Sequence, residues 1–417
     1  MLGFIAVENT DVITIKLTPG HVYETSKIAL ILLSSVMGSF FVLIYFFIRD
    51  TRRIIETMQF QKRQKREARI QELYTRALNA ILGNRDDEAR EALKDILKED
   101  AEHIDALLRL GDIALKNDEN AAALGYYRNA RDINPGNVQA LLSIDAVLEK
   151  GGRDESALKI LDEIIESDSE NLTALYRRQA LLEKHGRWDE LLSLQKSIIK
   201  HVHNEKEKQR EEKKYAGYTY EYGRASLEGG EIEKAEKAFR TLVKQDAAFL
   251  PAYLALAEVM VAKRENEESI NFLEKSYTTL GSKVILARLE DLLISEGEPG
   301  RLLRIYQNAI SSNPQDKGLK FMLGRLYARL EMIDDALETL ESIDSGAYPN
   351  PDLHAVKADL YRKRNQTGKA MEELRIAVDM QRTGGNQFKC AACGFVTADW
   401  AGRCQGCRGW NALALNV

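Results

Sequence analysis

Apolar and polar positions follow three regimes along the chain. Residues 28–48, IALILLSSVMGSFFVLIYFFI, run for 21 residues without a charge. As a helix rising about 1.5 Å per residue, such a run covers about 30 Å, the thickness of a bilayer core. From about residue 70 to 383 a second pattern takes over, with a period of 34 residues. Ala89, Ala123 and Ala157 keep that step, as do Ala235 with Ser269 and Ala336 with Ala370. Leu191 and Leu303 take the same place in two other repeats. Gly111, Gly223 and Gly324 each precede one of these small residues by 12 positions. Leu93, Tyr127, Leu161, Phe239, Leu273, Leu340 and Leu374 follow by four. The third regime, the last 28 residues, holds all four cysteines. Ahead of the span, Ile13, Ile15 and Leu17 alternate with Thr14 and Lys16 and read as a short strand.

A 34-residue period of this kind predicts one helix pair per repeat. The small residues let two helices approach, and the bulky residue one turn later fills the groove beside them. Single pairs cannot bury their apolar faces, so neighbours must stack. About nine units follow, at 70–103, 104–137, 138–171, 172–215, 216–249, 250–283, 284–316, 317–350 and 351–383. The fourth is lengthened by a charged insertion, residues 201–214, read as a solvated helix extension. Only 7 prolines occur, at repeat ends, first turns or loops, as helices require. The expected architecture is all-α. It comprises an external segment (1–27), a single N-terminal transmembrane helix (28–48), a basic juxtamembrane helix (49–69), a superhelix of repeats (70–383) and a small metal-binding tail (388–417). Residues 382–387, with Gly384 and Gly385, are the expected linker.

Charge sets the orientation. Arg49, Arg52, Arg53, Lys62, Arg63, Lys65, Arg66 and Arg69 follow the span, against only Lys16 and Lys27 before it. The positive-inside rule leaves the N-terminus outside and the remainder in the cytoplasm. A cleaved signal peptide fits less well: Glu8, Asp11 and Glu24 precede the run and no small-residue cleavage pattern follows. The net charge of −5 argues against general nucleic-acid binding.

The cysteines form Cys390-x2-Cys393 and Cys404-x2-Cys407, ten residues apart. Each places two thiolates on one tight turn, and two such turns make a tetrahedral site. Cytoplasmic thiols stay reduced, which disfavours disulfides. Zinc and a single iron both accept four thiolates. Such a closed ligand set is structural, and its metal supplies the folding energy that so small a module lacks. Gly394 and Gly406 give the turns backbone freedom, and Trp400 and Trp410 cover the site or dock it on the repeats. On the repeats, Tyr176, Tyr220 and Phe321 share an inward position, and Arg224 and Arg325 share another. They are candidate partner-binding residues, with packed core as the alternative reading. No nucleophile motif, no H-E-x-x-H and no G-x4-G-K-[ST] loop appears, so no catalytic role is expected.

The repeats resemble tetratricopeptide repeats. The best unit, 104–137, carries Leu110-Gly111, Ala123, Tyr127, Ala130 and Pro135 in that family's order. With the anchor and the tail, the chain from about Ile28 onward resembles the lipopolysaccharide assembly protein B family of Gram-negative bacteria. The most specific part is Cys390-x2-Cys393-Gly394-Phe395 followed by Cys404-x2-Cys407-Arg408-x-Trp410. Gln405 stands where that family commonly has proline, and the 27 residues before the span are additional to it. The resemblance implies a rubredoxin-like zinc ribbon and a non-enzymatic inner-membrane adaptor facing the cytoplasm. Its implied partners are the membrane protease FtsH and its client LpxC, the deacetylase that commits carbon to lipid A. A similar ribbon opens the DNA-repair protein RadA, whose ATPase body is absent here. Two other readings stay open at this point, a membrane-tethered electron carrier with iron in the four-cysteine site and a generic repeat-protein assembly scaffold. Self-association of the chain into a homo-oligomer is open for each reading. A nucleic-acid-binding ribbon is disfavoured because Lys389, Arg403 and Arg408 are its only basic residues.

Overall fold

The computed structural model describes residues 11–18, 21–343, 348, 350–381, 387–397 and 399–416. It divides into two compact units, Met1–Ser169 and Glu170–Val417. In the first, β1 (Val12–Thr18) pairs antiparallel with β2 (His21–Ser26), setting Ile15 opposite Tyr23. The alternation in β1 marks one strand; its partner carries no comparable pattern. Ser26 then caps α1 (Lys27–Leu82), its hydroxyl accepting the Ala29 N–H at 3.2 Å.

The 56 residues of α1 contain no proline and one glycine, Gly38, so no residue in them breaks the helix. The apolar span, the basic stretch and the first repeat helix therefore lie on one continuous helix. Its apolar window is long enough to cross a membrane and is not buried within the protein. At about 1.5 Å per residue, the helix runs on about 50 Å beyond that window. The unit continues with α2 (Asp86–Glu99), α3 (Ile104–Lys116), α4 (Asn120–Ile133), α5 (Val138–Lys150) and α6 (Asp154–Ser167), each packed on the next.

The second unit repeats this plan with α7 (Leu172–Lys184), α8 (Trp188–His201), α9 (Glu205–Glu228), α10 (Ile232–Gln245), α11 (Leu250–Ala262) and α12 (Asn266–Leu280). It goes on through α13 (Lys283–Ser295), α14 (Pro299–Ser312), α15 (Lys317–Arg329), α16 (Ile333–Glu341), α17 (Pro351–Lys363) and α18 (Thr367–Gln381). The ribbon follows as a three-stranded antiparallel sheet of β3 (Gln387–Cys390), β4 (Val396–Thr397) and β5 (Leu413–Asn416), in the order β4-β3-β5. Residues 382–386 of the expected linker lie outside the described residues.

The repeat is written into the backbone. One residue per helix pair takes a left-handed conformation: Asn84, Asp118, Gly152, Gly186, Gly230, Arg264, Gly297, Glu331 and Asn365. Each sits in the turn within a pair. The step is 34 except across the insertion and between Arg264 and Gly297, where it is 33. The shortened step corrects the sequence alignment. Leu302, not Leu303, takes the small-residue position and is fully buried. The cause is local: α12 ends on left-handed Gly281, and α13 begins two residues later, at Lys283.

The small and bulky positions meet as their spacing implies. Ala89, Ala123, Ala157, Ala235, Ser269 and Ala336 are fully buried. The Tyr127 ring lies on Gly111, Phe239 on Gly223 and Leu340 on Gly324, so closely that a methyl group at any of these glycines would collide. Fully burying an apolar side chain of this size contributes about 2–3 kcal/mol, and each repeat offers several.

The insertion is only partly solvated. It forms the first turns of α9, and within it Glu211 is fully buried. Gln195 donates to Glu211 at 2.9 Å, Lys214 donates at 3.1 Å, and Gln179 bonds Gln195. Burial raises the Glu211 pKa, but the bonds from Gln195, Lys214 and Gln179 outweigh it and hold the pKa below its usual value.

Candidate metal centre and its seat on the repeats

The two cysteine turns are built alike. Cys390 N–H donates to the Phe395 carbonyl and Gly394 N–H to the Cys390 carbonyl, at 2.8 and 2.9 Å. Cys404 N–H donates to the Gly409 carbonyl and Arg408 N–H to the Cys404 carbonyl, again at 2.8 and 2.9 Å. The fourth residue after the first cysteine of each turn is left-handed: Gly394 at φ 75° and Arg408 at φ 58°. Gly394 thus has the role expected of it. In the second turn Arg408, and not Gly406, supplies the left-handed position.

These turns bring the sulfurs together. Cys390 and Cys407 Sγ lie 3.7 Å apart, Cys393 and Cys404 Sγ 3.8 Å, and all four fall within 4.8 Å. A disulfide needs about 2.05 Å. A zinc tetrahedron with bonds of about 2.3 Å has edges of about 3.8 Å, so the donor set fits one ion. The two thiols of the first turn are perturbed in opposite directions. Desolvation raises the Cys390 pKa, but the N–H groups of Cys393 and Ala392 bring it down to about 7. At Cys393 the Phe395 N–H favours the thiolate, yet desolvation and the neighbouring sulfurs push the thiol up to about 12. Among the described residues no other cluster of three or more His, Cys, Asp or Glu has this geometry.

Inside the ribbon, Phe388, Phe395 and Trp400 pack on buried Cys390, Cys404 and Leu413. Trp400 therefore covers the site, while Trp410 docks it. The Trp410 indole N–H donates to Glu221 of α9 at 2.7 Å. Arg403 stacks 4.4 Å from the centre of the Trp410 ring and donates to Glu183 of α7 at 2.5 Å. The Tyr218 hydroxyl takes the other Glu183 oxygen at 2.9 Å, and its ring meets Trp410 edge-on at 5.6 Å. The indole lies so close to Gly217 that any side chain there would displace it. Asn411 donates to the Ala248 carbonyl at 2.9 Å, and Gly402 approaches Tyr220 and Pro251. The ionic groups are largely shielded, with Arg403 and Glu183 at 23% and 24% side-chain exposure. Charge-assisted bonds in such surroundings contribute about 1.5–3 kcal/mol each.

Residues 388–414 match the rubredoxin metal binding domain family of LapB zinc ribbons. Residues 74–138 and 293–360 match two tetratricopeptide repeat families. The chain thus carries tetratricopeptide repeats and, at residues 388–414, a zinc ribbon like that of LapB. Zinc is the metal of the matching ribbon family, and the four thiolates suit it. No curated protein sequence matches the chain. Among solved structures, a tetratricopeptide repeat protein from Parabacteroides merdae is 17% identical over 62% of this chain and 98% of its own, with a TM-score of 0.33. YrrB, described as a TPR protein with an unusual peptide-binding site, is 22% identical over 40% and 88%, with a TM-score of 0.29. Yeast Tom70 is 11% identical over 76% and 77%, with a TM-score of 0.33.

The residues expected to face a partner have intramolecular ties. Tyr176 lies under Lys214 of the insertion, 5.7 Å from the ring centre. Tyr220 packs against Phe239 and Phe249 beneath Gly402 of the zinc ribbon. Phe321 is buried against Tyr348. Arg224 donates to Glu258 of α11 at 2.7 Å, and Arg325 and Arg329 pair with buried Glu290 of α13 at 3.4 and 3.2 Å. These arginines join first helices of neighbouring pairs. Arg325, Arg329 and Phe321 also border a hollow with Asp352, Val356 and Asp359. The anchors Glu183, Gly217, Tyr218 and Glu221 were not legible beforehand. They share no repeat position, and Arg403 is 220 residues from Glu183.

Proposed function

We propose that the chain is a non-enzymatic, single-pass adaptor of the inner membrane, with its N-terminus in the periplasm and its repeats and ribbon in the cytoplasm. The basic residues after the span support that orientation. The observation that carries the adaptor reading is the ribbon itself. Its four sulfurs form a closed ligand set, and its contacts hold it against the first helices of the repeats. A closed site has no position for a substrate, which fits a structural part of a binding surface. Repeats of this class bind proteins, and a shared membrane raises the effective concentration of two anchored molecules. By its resemblance to lipopolysaccharide assembly protein B, the chain would present LpxC to FtsH and so restrain lipopolysaccharide synthesis.

Crosslinking in membranes followed by pull-down tests this reading. The intact chain should recover both FtsH and LpxC, and a version lacking residues 1–48 should recover much less FtsH. Recovery of neither protein by the intact chain would contradict it.

A further inference from the structure

Among the described residues, the ribbon's polar anchors on the repeats are Arg403, Trp410 and Asn411, and its close backbone approach is Gly402. All four belong to the ten-residue turn, 402–411, that also carries Cys404 and Cys407. Arg403 directly precedes one ligand, and Trp410 follows the other by three residues. The turn is closed on itself. Asn411 N–H reaches the Gly402 carbonyl at 2.9 Å, Arg403 Nε donates to the Arg408 carbonyl at 2.9 Å, and Arg403 and Trp410 form a β-bridge. The Arg403–Trp410 stack thus lies across the same turn that presents two of the four sulfurs.

A module whose described core holds three buried hydrophobic residues cannot hold such a turn by burial alone. The ion's binding energy must fix it. Without the ion, Arg403 and Trp410 lose the spacing that fits Glu183 and Glu221. The converse follows from the same contacts. When Glu183 and Glu221 grip the two ends of the turn, Cys404 and Cys407 are held in their ligating positions. Two events that each favour the other must do so by the same factor.

We propose that metal binding by the ribbon and its seating on α7 and α9 are one coupled equilibrium, with Arg403 and Trp410 as positioning residues for the ion. Loss of the ion then uncovers Glu183, Gly217, Tyr218, Tyr220 and Glu221. The surface so released joins two carboxylates to two tyrosines beside a glycine floor. The coupling stands on the docking contacts alone; service to a client rests on the adaptor reading.

The test uses the full-length, zinc-loaded protein in detergent micelles, with no client present. Zinc transfer to a colorimetric chelator is timed for the native chain, for Arg403→Ala with Trp410→Phe, and for Glu183→Gln with Glu221→Gln. The last variant leaves the ribbon's sequence intact and so separates lost docking from a misfolded ribbon. Lys389→Ala, on an exposed ribbon position away from the seat, is the control. Both double variants should release zinc about tenfold faster or more, a typical coupling between linked sites. The control should match the native chain. In the native chain, removing zinc should also speed hydrogen exchange at residues 216–222 of α9. Unchanged zinc release in both double variants, or protection at 216–222 that survives complete metal removal, overturns the coupling.

Discussion

Arg264 and Glu331 occupy left-handed positions that the other repeats give to Gly, Asn or Asp. A left-handed conformation costs an ordinary residue about 1 kcal/mol or more, because Cβ crowds the following carbonyl. Both side chains are exposed, so replacement sacrifices little packing. Arg264→Gly and Glu331→Gly should each raise the unfolding free energy by about 1 kcal/mol in a denaturant titration. A loss of stability would show that these side chains hold their turns by contacts. The same two residues explain a limit of the sequence pattern. Where the turn residue is glycine the phase can be read directly, and where it is Arg264 or Glu331 it is hidden. Arg408 hid the symmetry of the cysteine turns in the same way.

At the level of helices, the period was legible because each small residue and its bulky neighbour belong to one repeat. Gly111 with Tyr127 and Gly223 with Phe239 are both 16 residues apart. Local spacing could not reveal the one-residue slip at Leu302, since Leu303 preserves the count equally well. Nor could it reveal the anchoring of the insertion, where a run of charges hides a buried carboxylate. Glu211→Ala would strand Gln179 and Gln195 and should cost about 3 kcal/mol near neutral pH. Because the folded pKa of Glu211 is depressed, its contribution is present above the ordinary glutamate pKa. It fades as pH falls through the lower, folded value. The gap between native protein and variant should therefore narrow in acid, as measured by urea midpoints from pH 7 to pH 3. A gap independent of pH would mean that Glu211 acts by shape alone.

On the scale of the whole molecule, composition and order were legible: an apolar run, a helical period and a four-cysteine tail each announce themselves locally. Two features needed the structure. One is the continuity of α1, by which the candidate span leads into the first repeat helix without a hinge residue. The other is the seat of the ribbon, made by groups 163 to 220 residues apart, which no local pattern encodes. The most direct measurement is the half-life of LpxC in cells that carry this chain, that lack it, or that carry only residues 49–417. The intact chain should shorten that half-life, and the unanchored form should do so far less. An LpxC half-life that is the same with and without the chain would contradict the adaptor account.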